Sequence, residues 1–339
     1  MSEVAIEAIT SREALCGLAG EWRALWDRCP QATPFQRPEW LLPFCAHLGP
    51  ARLATLALRQ GPHLIGLAPL FTWDDGSSRV ISLLGAGVSD YLDALFDPAH
   101  VEACAVALAS HLGALRLGRA EERWDRCDLE PLPASSPLLR MPTPPGCRAE
   151  QRAEAVCPTL ALPEAVPDLA RVVPREMLRN VRRARARAEA SGRLALVTAD
   201  AASRVAILEA LIALHSQRWS GQGEPGMLLR EEVRALHREV SAAFLAAGAL
   251  RLHAVTLDGR IIAALYGLAG HGIARFYLQG FDPAFERFSP GALVVAHALE
   301  EAVRAGDREA DFLRGRERYK YLWGAVDRPT CRLTITPAS

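Results

Sequence analysis

The stretch FYLQGFDPAFERFSPGALV, residues 276–294, decides the fold. An apolar and aromatic strand-like run ends at Phe281, an Asp-Pro turn follows, and Ser289-Pro290-Gly291 opens an amphipathic helix that runs to Gly306. Proline at the first helical position and glycine just past the last are the usual helix punctuation. A strand handed through a loop to a helix start concentrates unpartnered amides and the helix dipole at one point, which favours an anion. Gly291 removes a side chain that would block a phosphate, and Arg287 can supply charge. Ser-Pro-Gly is equally a good N-cap sequence, so an ordinary capped helix fits as well.

Working outward, ALRLHAVTLDGRIIAALYGLAG (249–270) is a hairpin turning at Asp258-Gly259, the strongest hairpin signal in the chain. RLALVTA (193–199) reads as a strand, and residues 203–215 and 231–247 as amphipathic helices. EADFLRG (309–315), RERYKYLWGA (316–325) and TCRLTIT (330–336) read as strand, short helix and strand. The first half carries a similar series: strand VAIEAIT (4–10), helices over 11–30 and 38–48, a hairpin over 52–71, strand VISLLG (80–85) and helix VEACAVALASHLGAL (101–115). A proline-rich stretch, 131–145, interrupts the periodic segments and predicts a seam, placing the boundary near residue 150. The expected architecture is α/β (α+β), with a domain over 1–150 and another over 151–339.

At 339 residues and 50% hydrophobic content the chain suits two domains rather than one core. Basic and acidic residues balance at 39 each, so there is no global electrostatic case for a nucleic acid or a membrane. The N-terminal sequence fits neither a signal nor a transit peptide, and no uncharged run is long enough to span a bilayer. A soluble cytoplasmic protein is expected. The eight cysteines form no CxxC pair and sit mostly among apolar neighbours, as buried reduced thiols do, and no metal is expected.

No GxSxG, HExxH, GxxxxGK[ST] or strand-following GxGxxG occurs, so chemistry must come from weaker constellations. DFLRGRERYKYLWG (311–324) holds the only lysine of the chain, Lys320. It places a carboxylate, Asp311, an ammonium and the Tyr319 phenol at the end of a strand, where open α/β sheets bind ligands. A Glu317–Lys320 surface pair beside core aromatics would explain the same pattern. Residues 171–193 carry eight arginines against two glutamates, and Arg175, Arg179, Arg182 and Arg183 share a face. That face could grip phosphates of a nucleic acid, a lipid head group or a nucleotide, or simply be solvated. HSQRW (215–219) and SDY (89–91) are polar clusters at element ends.

As an ordered set, PFQRPEWL (34–41), LLGAGVSDY (83–91), LRNVRRARARAEASG (178–192), LHSQRW (214–219), DGRIIAALYG (258–267), residues 276–294 and DFLRGRERYKYLW (311–323) resemble acyltransferases of the GNAT superfamily. The similarity is to those of the cellulose-biosynthesis-protein-D-like type, which look like relatives of the Fem-type aminoacyltransferases. This resemblance implies tandem GNAT-like domains, each a mixed, mostly antiparallel sheet flanked by helices, with the acyl-donor site in the second and a degenerate, acceptor-side first. It implies donor contacts at Tyr277, Leu278, Gln279 and Gly280 on a splayed strand, and at Arg287, Ser289, Gly291 and Ala292 on the following loop. The R-F-S-P-G-A sequence departs from the usual Gly-rich pyrophosphate pattern, which leaves an aminoacyl-tRNA donor open. The Fem-type closing motif, Asp-Phe with a nearby Gly and an aromatic-Lys pair, resembles Asp311, Phe312, Gly315, Tyr319 and Lys320.

The resulting expectation is direct transfer from acetyl-CoA or another acyl-CoA to an amine or hydroxyl of a sugar, a polysaccharide precursor or an envelope component. Asp311 would be the base, Lys320 the stabiliser of oxyanion or leaving-group charge, and Tyr319 an acid. Gln36, Trp40, Asp90, Tyr91, Arg218 and Trp219 would receive the acceptor. The competing expectations are Fem-type transfer from aminoacyl-tRNA, with the arginine-rich helix on the tRNA, and a binding protein that kept the fold without the chemistry. No DNA partner is expected; a peripheral membrane contact is compatible with the sequence.

Overall fold

The structure, a computed structural model, describes residues 4–50, 52–117, 123–220 and 227–338. The chain divides into two compact units, residues 1–155 with 329–339 and residues 156–328.

In the first unit the order is β1 (Ala5–Ile9), α1 (Arg12–Gly17), α2 (Ala19–Arg28), α3 (Pro38–His47), β2 (Arg52–Leu53), β3 (Thr55–Gln60), β4 (His63–Ala68), β5 (Leu70–Asp74), β6 (Arg79–Leu83), β7 (Leu95–Phe96), α4 (Val101–Leu117), β8 (Arg126–Pro133) and the start of β9 (Cys147–Ala161). β1, β3, β4 and β7 pair antiparallel in that order. β8 is flanked by β6, parallel, and β15 (Val326–Pro337), antiparallel, with β5 and β2 continuing beyond β6. Leu58, Ile65, Leu108, Trp124, Leu129 and Ile335 are among the side chains that fill its core.

The second unit continues with α5 (Leu169–Val172), α6 (Arg175–Glu189), β10 (Leu194–Thr198), α7 (Arg204–Ser220), α8 (Glu231–Ala246), β11 (Leu250–Leu257), β12 (Arg260–Gly270), β13 (Ile273–Phe281), α9 (Pro290–Arg304), β14 (Glu309–Asp311) and α10 (Arg318–Leu322). β10 to β13 pair antiparallel in chain order, with α7 and α8 between β10 and β11, β14 joins β13 in parallel, and the end of β9 pairs antiparallel with β14. The hairpin turn is at Asp258-Gly259, where both residues are left-handed (φ 50° and 81°), the conformation that matches strand twist in a two-residue loop. Burial of Val255, Leu265, Phe276, Val294, Ala298 and Trp323 joins one sheet face to α6 and α9. The expected mixed, mostly antiparallel fold flanked by helices is what the chain forms.

The expected boundaries shift. Residues 131–145 lie inside the first unit, with Leu132 and Leu138 buried in its core. The final strand belongs there too, because its alternation buries Leu333 and Ile335 in the same core and pairs Arg332 with Asp128 at 2.7 Å. No helix among the described residues is long and apolar enough to cross a membrane. All eight cysteines are free thiols, and Cys29, Cys104, Cys127 and Cys157 are buried.

Candidate functional site

β13 and β14 run side by side for only three residues, pairing Ile273 with Glu309, Ala274 with Ala310 and Arg275 with Asp311. Beyond Arg275, β13 continues through Phe276–Phe281 with β12 on one side and no further β14 partner on the other. Backbone amides and carbonyls of alternate residues therefore face an open edge roughly 20 Å long. The strand also bulges here: Tyr266 pairs with Leu278 but Gly267 with Phe276, leaving Tyr277 as the extra residue. Gly267 is what allows this, since a Cβ there would lie 2.4 Å from the Arg275 carbonyl oxygen. Gly280 has a similar task, because its Cβ would lie 3.0 Å from Leu214 Cβ and 3.1 Å from the His215 amide nitrogen on α7. Thus two of the four residues expected to contact the donor, Tyr277 and Gly280, are fixed by close backbone packing.

At the end of the open edge the loop from β13 to α9 is held firmly. Asp282 accepts from Ala284 N (2.9 Å) and pairs with Arg260 (2.5 Å), whose guanidinium lies 5.0 Å from the centre of the Phe285 ring. Ser289 is left-handed (φ 48°) and makes no side-chain cap. Its carbonyl instead accepts from both Ala292 N and Leu293 N, and Pro290 has no N–H. Gly291 N is therefore the helix-start amide left open among the described residues, fewer than the sequence pattern suggested. The positive charge is correspondingly richer than expected: Arg287 is exposed and stacks on Phe288 at 4.6 Å, and Arg187 on α6 donates to the Arg287 carbonyl at 3.2 Å. Two guanidiniums thus stand at the loop. A Cβ on Gly291 would touch only Phe281, at 3.4 Å, so the protein's own packing does not require glycine there.

On the other sheet face, the Tyr266, Tyr277 and His237 rings form a cluster with centroids 5.5 to 5.9 Å apart, Tyr266 meeting both of the others edge-on. The Tyr266 hydroxyl is buried without a hydrogen-bond partner among the described residues, as is Gln279 Oε1. Desolvation holds His237 neutral, its pKa pushed down to about 4, with a smaller contribution from His215. Desolvation also raises the Tyr266 phenol far above its ordinary value, so the hydroxyl stays protonated. Tyr266 and His237 were not singled out by sequence. A glycine inside a strand next to an aromatic, Tyr266-Gly267, is the signal that marks the bulge.

The closing motif has a different role from the expected one. Lys320 is 2% exposed, and its Nζ donates to the carbonyls of Leu313 (2.9 Å), Arg314 (2.8 Å) and Gly315 (3.2 Å) while lying 2.9 Å from Glu317 Oε2. The turn it clamps contains two left-handed residues, Leu313 (φ 57°) and Gly315 (φ 113°). Asp311 is 1% exposed and accepts from Leu313 N at 2.8 Å, fixing the same turn. Tyr319 packs edge-on against Phe312, centroids 6.4 Å apart, beside the core. The expectation of a Lys320 ammonium aimed at reacting groups is corrected: its hydrogens are taken up by the carbonyls of this turn and by Glu317. Nor is the Glu317 pair a surface one, since the lysine is buried.

Among the expected acceptor residues of the first unit, Gln36, Trp40 and Tyr91 are buried, and the Gln36 and Trp40 side chains hydrogen-bond within the unit. Trp40 Nε1 donates to Ser89 Oγ (2.9 Å), Gln36 Nε2 donates to the Tyr91 carbonyl (3.4 Å), and Gln36 Oε1 accepts from Thr33 N (2.6 Å). Gln36, Trp40 and Tyr91 are all at most 2% exposed, so they shape the 84–92 loop from inside rather than meeting a substrate. Asp90 is half-buried. The side chains of Arg218 and Trp219 lie outside the described residues. No three His, Cys, Asp or Glu side chains converge as a metal centre would require, among the described residues.

Residues 175–321 match the family described as "Acetyltransferase (GNAT) domain". The second unit thus carries a GNAT-type acetyltransferase domain. No curated protein matches the sequence significantly. Among solved structures, FemX shares the fold with a TM-score of 0.67 at 12% identity, over 97% of this chain and 96% of that one. The C-terminal domain (DUF2156) of a putative lysylphosphatidylglycerol synthetase from Agrobacterium fabrum gives 0.56 at 11% identity, over 96% and 92%. L-PGS from Bacillus licheniformis gives 0.54 at 10%, over 86% of each chain.

Proposed function

We propose that the second unit binds an acyl-CoA, in the first instance acetyl-CoA, along the open edge of β13 and transfers its acyl group to an amine or hydroxyl of a sugar, a polysaccharide precursor or a cell-envelope component. The observation that carries this reading is the divergence of β13 from β14 after Arg275, ending at a glycine-opened helix start flanked by Arg287 and Arg187. An extended pantetheine arm with alternating amides complements such an edge as an added strand would. Its pyrophosphate suits Gly291 N and two guanidiniums. The ordered motifs support a reading, within this fold, as the cellulose-biosynthesis-protein-D-like type.

In the transfer, the acceptor nitrogen or oxygen attacks the thioester carbonyl, the C–S bond breaks, and the proton lost by the acceptor goes to the departing thiolate. Asp311 and Lys320 fix the turn at the foot of the divergence, so they position rather than exchange protons. Gln279 Oε1 is a buried acceptor for an incoming N–H or O–H. Turnover would be followed as free CoA thiol released from acetyl-CoA in the presence of amino sugars and sugar nucleotides. Release above the hydrolysis background with at least one acceptor, cut tenfold or more by Gln279→Ala, is expected; no release with any acceptor contradicts the reading.

A second reading, transfer from an aminoacyl-tRNA, is favoured by one observation. Ser289 O takes the Ala292 amide, one of those that a pyrophosphate would use. A charged tRNA that binds while acetyl-CoA does not would select it, and binding of neither would leave a non-catalytic binding protein.

A further inference from the structure

We propose that α6 and the groove beside it form a docking site for an anionic phospholipid at a membrane surface. Helix α6 carries six arginines and two glutamates in fifteen residues. Arg175, Arg179, Arg182 and Arg183 are exposed and make no ion pair among the described residues, whereas Arg185 is paired with Glu189 at 2.9 Å. Successive positions of the helix, Leu178, Val181, Arg182 and Arg185 at i, i+3, i+4 and i+7, form one wall of a groove of about 220 Å³ within the second unit. Its remaining walls are chiefly apolar, with Leu169, Val173, Leu299 and Trp323 among them. The one acidic group in the lining, Glu300, is already held by Arg304 at 3.0 Å.

A row of guanidiniums along the lip of an apolar slot has two chemically different halves, and an amphiphile satisfies both. The phosphate of the head group takes bidentate bonds from Arg182 and its neighbours, and the first acyl methylenes enter the slot. An anionic lipid surface further attracts the remaining arginines. A nucleic acid would use the charge and leave the slot empty, and α6 offers no exposed aromatic ring on which a base could stack. The arc of arginines is wider than the core stripe of the helix, whose buried residues are only Ala184 and Ala188, so the helix can meet a surface without unpacking.

The test is sedimentation of the full chain with phosphatidylcholine vesicles, with and without an equal share of phosphatidylglycerol, in the absence of any acyl donor, so that its outcome is independent of catalysis. The expected result is at least tenfold stronger partitioning onto the anionic vesicles. The exposed double variant Arg182→Glu/Arg183→Glu should lose that preference. Ala170→Trp, an exposed position on the groove wall, should weaken binding threefold or more without changing charge, with both variants melting as the parent does. Equal partitioning onto both vesicles, or an unaffected charge-reversal variant, would overturn the proposal. An unaffected Ala170→Trp would show that the groove is not the seat. A transfer RNA that strips the protein from the vesicles at equal phosphate concentration would assign the arginines to nucleic acid instead.

Discussion

Lys320 is the residue at which two roles separate most cleanly. One nitrogen with three hydrogens meets three carbonyls of a left-handed turn, a geometry that the broad planar guanidinium of arginine does not reproduce. Lys320→Met would leave those carbonyls buried and unpaired and should cost about 3 kcal/mol of stability. Lys320→Arg should also lower the melting temperature, because a larger group must fit a site that is 2% exposed. Thermal melts check this: a Lys320→Met protein that melts with the parent while losing turnover would show that the ammonium serves chemistry and not the turn. The single lysine was conspicuous in the sequence, and so was its motif. Its orientation was not, because only the fold tells whether a helical residue at i+3 from Glu317 looks outward or back over the preceding turn.

At the scale of elements, the strand–loop–helix of residues 276–294 was legible because each part has its own local signal: aromatic alternation, Asp-Pro, Ser-Pro-Gly. The hairpin at Asp258-Gly259 was legible for the same reason. The capture of the Ala292 amide by the Ser289 carbonyl was not legible, since it accompanies the left-handed conformation of a serine that the sequence presents as an N-cap. Gly291 provides the test. Alanine fits there in ordinary contact with Phe281 and is the better helix former, so Gly291→Ala should leave stability unchanged or raise it by up to about 1 kcal/mol. The same change should weaken acyl-donor binding tenfold or more if a phosphate approaches the Gly291 amide. Gly267→Ala is the contrast: its Cβ would collide with the Arg275 carbonyl, so loss of stability and of binding should come together.

For the whole molecule, the boundary read near residue 150 lies close to the division at 155, but the return of residues 329–339 to the first unit escaped the sequence, and burial of Leu132 and Leu138 makes the proline-rich 131–145 part of a core. Each unit carries its own buried titratable group. In the first, desolvation pushes the Asp93 carboxyl up to about 8 despite hydrogen bonds from Ser136 Oγ (2.7 Å) and Ala94 N (2.8 Å). The folded carboxyl holds its proton more tightly than the unfolded one, so this contribution is greatest in acid and is lost as pH rises from about 4 towards 8. Asp93→Asn keeps an oxygen acceptor, and its stability relative to the parent should grow between pH 5 and 8 by up to ~1.4 kcal/mol per pH unit. In the second unit His237 has the opposite sign: its folded pKa, about 4, lies below the unfolded value, so stability present above about 6.5 is lost as pH falls towards 4. Urea unfolding midpoints at several pH values check both; an Asp93→Asn difference that does not change with pH would contradict the first.

The open edge of β13 as the seat of an acyl donor is tested most directly by isothermal titration of acetyl-CoA into the full chain and into Gly291→Val. Saturable binding to the parent, weakened tenfold or more in a variant that melts at the same temperature, is the expected result. No binding to a folded parent, or equal binding to the variant, would contradict it.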